Sequence, residues 1–275
     1  MKRAGLIGNP VSHSRSPQMH KAAFAALYID AVYELWHTEV DEIPDRVASI
    51  RADGMLGANV TVPHKQAVMP WCDELTETAR RAGAVNTIIP RNGHLLGDNT
   101  DVFGFARSVQ EATSADATPS SHALLLGAGG AARAVIVALQ EMGIRQLTIA
   151  NRTVAKARKL AAELGGSGAM CIDVVALDEL DSSLPGGVDL LVNSTAIGWH
   201  DNEIPLAPAI LATLVSNALV VDLTYRETAL LKTARAQGNP VLDGSGMLLY
   251  QGVRAFELWT GETAPVGVMR AALGE

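Results

Sequence analysis

The chain has 275 residues, 48% of them hydrophobic and 19% charged, with a formal net charge of -7. This composition excludes a disordered chain, and the length favours two domains with a sizeable buried core. The acidic balance, with no basic block and no Lys or Arg interleaved with aromatics, argues against a nucleic-acid surface.

Aromatic residues are only 4% of the chain, so the core must be built from Ala, Val, Leu and Ile, which suits parallel sheets covered by helices. The two cysteines, Cys72 and Cys171, stand far apart, and the seven histidines form no HxxxH pair. Neither a disulfide nor a metal site is expected. The opening "MKRAGLIGNPV" reads as a first strand rather than a signal peptide. No run approaches the roughly 18 apolar residues of a membrane span, so a cytoplasmic protein with no membrane partner is expected.

Strand-like and helix-like runs alternate along the chain. "RAGLIG" reads as a strand and "SPQMHKAAFAALYI" as a helix with Pro17 at its start. "AVYELWHTEV" follows as a strand, "IPDRVASIRAD" as a helix, "LGANVTVP" as a strand, "HKQAVMPWCDEL" as a helix and "AVNTIIP" as a strand. Asn92-Gly93 predicts a hairpin, hence an antiparallel excursion in a mostly parallel first domain. "NTDVFGFARSVQEA" reads as a helix and residues 113–122, "TSADATPSSH", as a linker. Beyond it, "ALLLGAGGAARAVIVALQEMGIRQLTIANR" gives strand, glycine turn, helix and strand, and the βαβ pattern continues through "DLLVNSTAIG" and "ALVVDLTY". The terminal "GMLLYQGVRAFELWTG" is a helix expected to pack back on the first domain.

Two sets of residues carry chemistry. In "LLLGAGGAARAVIVAL", Gly127, Gly129 and Ala132 fill the G-x-G-x-x-G/A pattern between an apolar strand and an amphipathic helix. Gly127 permits the turn, Gly129 lets the backbone approach a pyrophosphate, and Ala132 lets helix and strand pack closely. The helix N-terminus then offers free N–H groups to phosphates. The alternative is a tight turn with no ligand. The next strand ends in Asn151, Arg152 and Thr153, where NAD sites carry Asp or Glu roughly 20 residues beyond the glycines. An Arg there, helped by Lys156, pairs with a 2'-phosphate that a carboxylate would repel. NADP is therefore the expected cofactor; the alternative is a solvated Arg.

The second set begins with "ANVTVPHKQAV", residues 58–68, where Asn59, Thr61 and Lys65 interrupt an apolar stretch. Asn86 in "AVNT", Asp101 in "DNTD" and the pair Ser14 and Ser16 in "SHSRSP" also lie at expected strand ends or helix starts. An open parallel sheet gathers such ends on one rim. The set suits a small hydroxy-carboxylate. Ser14 and Ser16 would bind its carboxylate, and Asn59, Thr61 and Asn86 its hydroxyls. Lys65 and Asp101 would share the proton that leaves when a nicotinamide takes a hydride. Which of the two carries it stays open. His13 and His64 are read as structural or solvent-facing.

At these residues the chain resembles the shikimate dehydrogenase family. The matching segments are "SHSRSP", "NVTVPHK", "GAVNT", "DNTD", "GAGGAARA", "NRT", "NSTAIG", "DLTY" and "GMLLYQGVRAFELWTG", in the family's order over nearly the whole length. The resemblance implies two α/β domains with a cleft between them: a mostly parallel-sheet substrate domain, residues 1–103 plus 245–275, and a Rossmann-type NADP domain, residues 104–244. It implies reversible NADP-linked reduction of 3-dehydroshikimate to shikimate, with Lys65 and Asp101 as the catalytic pair. It adds Tyr225 and Gln251 to the substrate contacts Ser14, Ser16, Asn59, Thr61 and Asn86. It makes Gly127, Ala128, Gly129, Gly130, Ala131, Asn151, Arg152, Thr153, Lys156, Thr195, Leu223 and Gly244 cofactor contacts. A monomer or homodimer is expected.

Three positions depart from the commonest family pattern: Arg15 where Leu is frequent, Trp199 where Met is usual, and "DLTYRET" without the Asn-Pro that often follows the tyrosine. They leave the reaction type standing and keep quinate, aminoshikimate or a related ring carboxylate as alternatives, with NAD as the alternative cofactor. A rival from another class is a non-catalytic dinucleotide-binding regulator. The presence of both Lys65 and Asp101 favours the enzyme. There is no G-x-S-x-G nucleophile elbow and no P-loop ending in G-K-[ST].

Overall fold

The computed structural model describes residues 1–113, 121–167, 170–180, 187–199 and 203–274. Residues 114–120 of the expected linker lie outside the described residues. The chain divides into two compact units, Met1–Phe105 with Leu248–Glu275, and Ala106–Met247.

The first unit takes in β1 (Lys2–Gly8), α1 (Ser16–Ala26), β2 (Ala31–His37), α2 (Ile43–Ser49), β3 (Met55–Val60), β4 (Glu74–Leu75), α3 (Glu77–Ala82), β5 (Thr87–Arg91), β6 (His94–Asp98) and the first turns of α4 (Thr100–Ala112). Its sheet runs β2-β1-β3-β5-β6-β4. β1 is parallel to β2 and β3, whereas β5 is antiparallel to both β3 and β6. The reversal is made at Asn92 (φ 51°) and Gly93 (φ 81°), the double positive φ that the hairpin dipeptide supplies. It has a consequence for the rim. β1, β3 and β6 end there, and β5, running the other way, begins there.

Alternate strand residues face opposite sides of this sheet. Leu6, Tyr33 and Ile89 join one core cluster with Met19 and Phe24 of α1, while Ile7, Trp36 and Ile88 join another with Ile43 and Val47 of α2. The chain end contributes to the first cluster through Leu249, Val253, Phe256 and Met269.

One expected helix is absent. "HKQAVMPWCDEL" folds as turns, a 3-10 turn at Met69–Trp71 and the short β4. Pro70 lacks an N–H and disfavours helix at Met69, and only a few residues separate it from Pro63. Beyond it, Asp73 is pulled to the sheet by the Arg51 guanidinium (Nη1 to Oδ2, 2.5 Å) and by the N–H of Leu95 (2.7 Å). The Arg51 hydrogen bond, then that of Leu95, pushes the Asp73 carboxyl down to about 2. The helix that does form is α3. Thr76 caps it by accepting from the N–H of Ala79 (3.1 Å), and Gly83 ends it in the left-handed region, φ 59°.

The second unit takes in the rest of α4, then β7 (His122–Leu126), α5 (Gly130–Glu141), β8 (Gln146–Asn151), α6 (Val154–Leu164), β9 (Cys171–Ala176), β10 (Leu190–Asn193), α7 (Pro208–Leu211), β11 (Leu219–Asp222), α8 (Ala229–Ala236) and β12 (Val241–Leu242). Its sheet is ordered β12-β11-β10-β7-β8-β9, and every pairing is parallel. Chain order moves outward from β7 to β9, then resumes at β10 on the other side. That is the doubly wound Rossmann arrangement, with its switch point between β7 and β10. α9 (Ser245–Thr260) and α10 (Val266–Ala272) complete the chain, the unit boundary falling inside α9. No helix among the described residues is long and apolar enough to cross a membrane.

Candidate active site

The rim of the first sheet gathers polar side chains from four segments. Lys65 follows β3, its carbonyl accepting from the N–H of Val85 (2.7 Å). Asn86 immediately precedes β5. Its carbonyl accepts from Val60 N–H (2.8 Å) and its N–H donates to Asp98 carbonyl (3.0 Å), so the ends of β3 and β6 are tied to it. Asp101 stands in the first turn of α4, where the helix dipole favours a carboxylate.

Lys65 Nζ donates to Asp101 Oδ2 at 2.5 Å, the side chains being 14% and 8% exposed. Asn86 Nδ2 donates to the other oxygen, Oδ1, at 2.8 Å. The Asn86 amide is held the right way round because its Oδ1 accepts from the N–H of Thr100 (2.7 Å) and the hydroxyl of Thr87 (3.0 Å). Each Asp101 oxygen thus meets an N–H donor, and the carboxylate is built as an acceptor.

Asn59 is buried. Its Oδ1 accepts from the Tyr33 hydroxyl (2.8 Å), and its Nδ2 donates to Thr87 Oγ1 (3.2 Å) and the Asn86 carbonyl (3.3 Å). Ser16 opens α1, and its N–H donates to Ser14 Oγ at 3.2 Å. Thr61 N–H donates to the Ile7 carbonyl (2.8 Å), and its methyl stands where a Cβ on Gly8 would be (2.3 Å). Gln251 is turned onto its own helix, Nε2 donating to the Leu248 carbonyl (2.8 Å). Arg15 donates to the Leu273 carbonyl at the end of the chain. His13 is exposed, and His64 is buried with Nε2 2.7 Å from the Thr38 carbonyl.

In the second unit the cofactor set lies at the C-terminal rim of the parallel strands. Gly127 has φ 104°, and a Cβ there would meet Ser194 Oγ at 2.8 Å. Gly129 caps α5 with extended backbone, and a Cβ there would meet nothing within 4 Å. Space therefore stands open at Gly129, where α5 begins, while Ala132 is buried. At the end of β8, Asn151 Nδ2 donates to the Thr153 carbonyl (2.8 Å) and offers no carboxylate. Arg152, Thr153 and Lys156 are exposed, and among the described residues neither cation is engaged by an acid. This set fits a dinucleotide with an extra phosphate on the adenosine ribose.

Across the switch point, Asn193 at the end of β10 accepts from the N–H (3.1 Å) and hydroxyl (2.7 Å) of Thr195. The fully buried Asp222 binds Asn193 Nδ2 (3.1 Å), Thr224 N–H (3.0 Å) and the hydroxyls of Thr224 (2.6 Å) and Thr228 (2.9 Å). Leu223 and Gly244 meet backbone to backbone, since a Cβ on Gly244 would lie 2.1 Å from the Leu223 carbonyl oxygen. Tyr225 packs edge-to-face with Trp199, ring centroids 5.5 Å apart and planes at 90°. Tyr225 belongs to the second unit, whereas the other expected substrate contacts belong to the first.

Tyr33, Thr87 and Thr100 in the first unit and Asn193 and Asp222 in the second were not singled out from sequence. Thr87, Thr100, Asn193 and Asp222 each lie inside a motif segment.

Three family models match the chain: the shikimate dehydrogenase substrate binding domain over residues 6–88, shikimate / quinate 5-dehydrogenase over 110–223, and the shikimate 5'-dehydrogenase C-terminal domain over 244–273. The shikimate dehydrogenase (NADP(+)) of Rubrobacter xylanophilus is 46% identical, over 98% of this chain and 94% of its own. The crystal structure of shikimate 5-dehydrogenase from Thermus thermophilus, in complex with NADP(H) and shikimate, superposes with a TM-score of 0.84 at 35% identity, covering 99% of this chain and 98% of that one. A 5-ketofructose reductase of Gluconobacter, in its ligand-free form, superposes with a TM-score of 0.87 at 33% identity, again covering 99% and 98%. On these motifs, this geometry and these relatives, the chain belongs to the shikimate dehydrogenase family.

Proposed function

We propose that the chain is an NADP-linked oxidoreductase interconverting 3-dehydroshikimate and shikimate. The observation that carries this is the Lys65–Asp101 pair, braced by Asn86 on the rim that also holds Ser14, Ser16 and Asn59. NADP, when bound, supplies the hydride acceptor for alcohol oxidation and the hydride donor for the reverse. Gly127, Ala128, Gly129, Gly130 and Ala131 would hold its pyrophosphate. Asn151, Arg152, Thr153 and Lys156 would hold its adenosine end, and Thr195, Leu223 and Gly244 its nicotinamide end.

Lys65 handles the proton. In the reductive direction its ammonium donates to the developing alkoxide oxygen; in the oxidative direction the neutral amine accepts the hydroxyl proton. Asp101 holds Lys65 in place and opposes the charge it carries. Asn86 holds Asp101. Ser14 and Ser16, at the start of α1, face the substrate carboxylate, with Thr61, Gln251 and Tyr225 as further contacts. Because a 5-ketofructose reductase carries the same fold, the fold does not select the substrate. Shikimate is favoured by curated NADP-linked relatives at up to 46% identity.

The test is Lys65→Ala. Turnover of shikimate should fall by about two to four orders of magnitude, while NADPH binding, read from its fluorescence, stays close to wild type. Full turnover in that variant would remove the proposed role.

A further inference from the structure

Asn59 is fixed from both ends of its amide by two side chains that have no part in the proposed catalytic or binding set. Tyr33 donates to its Oδ1 at 2.8 Å. Thr87 Oγ1 accepts from its Nδ2 at 3.2 Å, and the Asn86 carbonyl takes the second N–H at 3.3 Å. Both donor hydrogens are spent. What remains for a ligand is lone-pair capacity on Oδ1. Turning the amide over would set its oxygen against the Asn86 carbonyl, so the orientation is forced.

Tyr33 is itself unable to swing away. It is almost wholly buried, and its ring lies flat on His20, centroids 4.5 Å apart and planes 3° from parallel. Trp259 covers the same imidazole at 5.3 Å. Both ring nitrogens of His20 lack a hydrogen-bond partner among the described residues. Burial pulls the His20 pKa down to about 3, so the ring is a neutral slab behind Tyr33.

We propose that Tyr33 and Thr87 are positioning residues that present Asn59 to the substrate solely as a hydrogen-bond acceptor, so that the site selects a ring hydroxyl, a donor, at that point. The inference rests on the shikimate reading above. It adds a rule that a ring carbonyl, ether or fluorine placed there would face an oxygen lone pair and be rejected.

The experiment compares kcat and KM for shikimate and for its two monodeoxyfluoro analogues at the non-reacting hydroxyls, in wild type, Tyr33→Phe, Thr87→Val and Thr87→Ser. Wild type should prefer shikimate over one analogue by at least about tenfold in kcat/KM. Tyr33→Phe keeps the ring on His20 but frees the Asn59 oxygen. Its preference should fall severalfold, with KM for shikimate raised, kcat less affected and KM for NADP at the wild-type value. Thr87→Val should move the ratio the same way and, because it also removes a donor to Asn86, lower kcat; Thr87→Ser should restore the wild-type ratio. A purely structural role would lower thermal stability and leave the ratio alone. If Tyr33→Phe does not fold, the Thr87 pair decides. Wild-type turnover of shikimate with an unchanged ratio in the folded variants overturns this inference alone. No turnover of shikimate by wild type overturns the parent reading and this one with it.

Discussion

At the rim of the first sheet the polar side chains bond to one another, while at the rim of the second the glycine turn borders open space and the cations Arg152 and Lys156 lie exposed. Lys65, Asp101, Asn86, Thr100, Thr87, Asn59 and Tyr33 form one connected set of hydrogen bonds. Around Gly129, by contrast, nothing stands where a Cβ would go, and Arg152 and Lys156 lie exposed. Under the proposed function the difference follows from what each rim would recognise. A small ring with several hydroxyls is told from its isomers by donors and acceptors fixed beforehand, and buried polar groups must be satisfied to stay fixed. A pyrophosphate is a large fixed charge, and open backbone N–H groups with a nearby cation suffice for it.

The two glycines of the cofactor turn sharpen this contrast most. Gly129→Ala should fold normally, with stability within roughly 0.5 kcal/mol of wild type. Its methyl would occupy the space a pyrophosphate needs, and NADP affinity should fall at least about tenfold. Gly127→Ala should instead cost about 1–3 kcal/mol of stability, because φ is 104° and Ser194 Oγ is in the way. Thermal melts and NADPH titration separate the two; equal loss of stability in both would break the claim that Gly129 borders open space.

Next in size is Arg152→Ala. Loss of an exposed guanidinium that pairs with a 2'-phosphate should raise KM for NADP by about tenfold and leave KM for NAD near its starting value. Equal weakening of both cofactors would remove the 2'-phosphate assignment.

A further effect, on stability alone, lies behind the first rim. The His20 pKa is about 3 in the fold against an ordinary 6.5, because burial disfavours the charged ring. Between these values the unfolded chain binds a proton that the folded chain refuses. This stabilisation is complete above the unfolded value and falls as pH drops, by at most about 1.4 kcal/mol per pH unit. His20→Phe keeps an aromatic slab under Tyr33 and removes the titration. Between neutral pH and about pH 5, the variant should lose about 2 kcal/mol less than wild type. Parallel stability curves over that range would contradict a buried neutral His20.

The same contrast explains what could be read from sequence. The cofactor turn is local: Gly127, Gly129 and Ala132 lie within one strand–turn–helix, and Arg152 ends the next strand. The glycine spacing therefore marked a strand–turn–helix that the structure contains, and the βαβ pattern matched the parallel pairing of the second sheet. The rim of the first sheet is assembled from residues distant in sequence. Asn59 and Asn86 were found as polar interruptions at strand ends, yet Tyr33 looked like any aromatic in a strand, and only tertiary pairing puts its hydroxyl on Asn59. The false helix at "HKQAVMPWCDEL" came from weighing apolar spacing above Pro70, and α3 was passed over although Thr76 and Gly83 marked both of its ends. Trp199 stood out as a departure from the family pattern; its edge-to-face packing on Tyr225 required coordinates.

The most direct test of the central claim is the initial rate, followed by nicotinamide absorbance, with shikimate and quinate each crossed with NADP and NAD. The account predicts fast turnover of shikimate with NADP and much slower rates in the other three combinations. Slow shikimate turnover with NADP, or a preference for quinate or NAD, would contradict it.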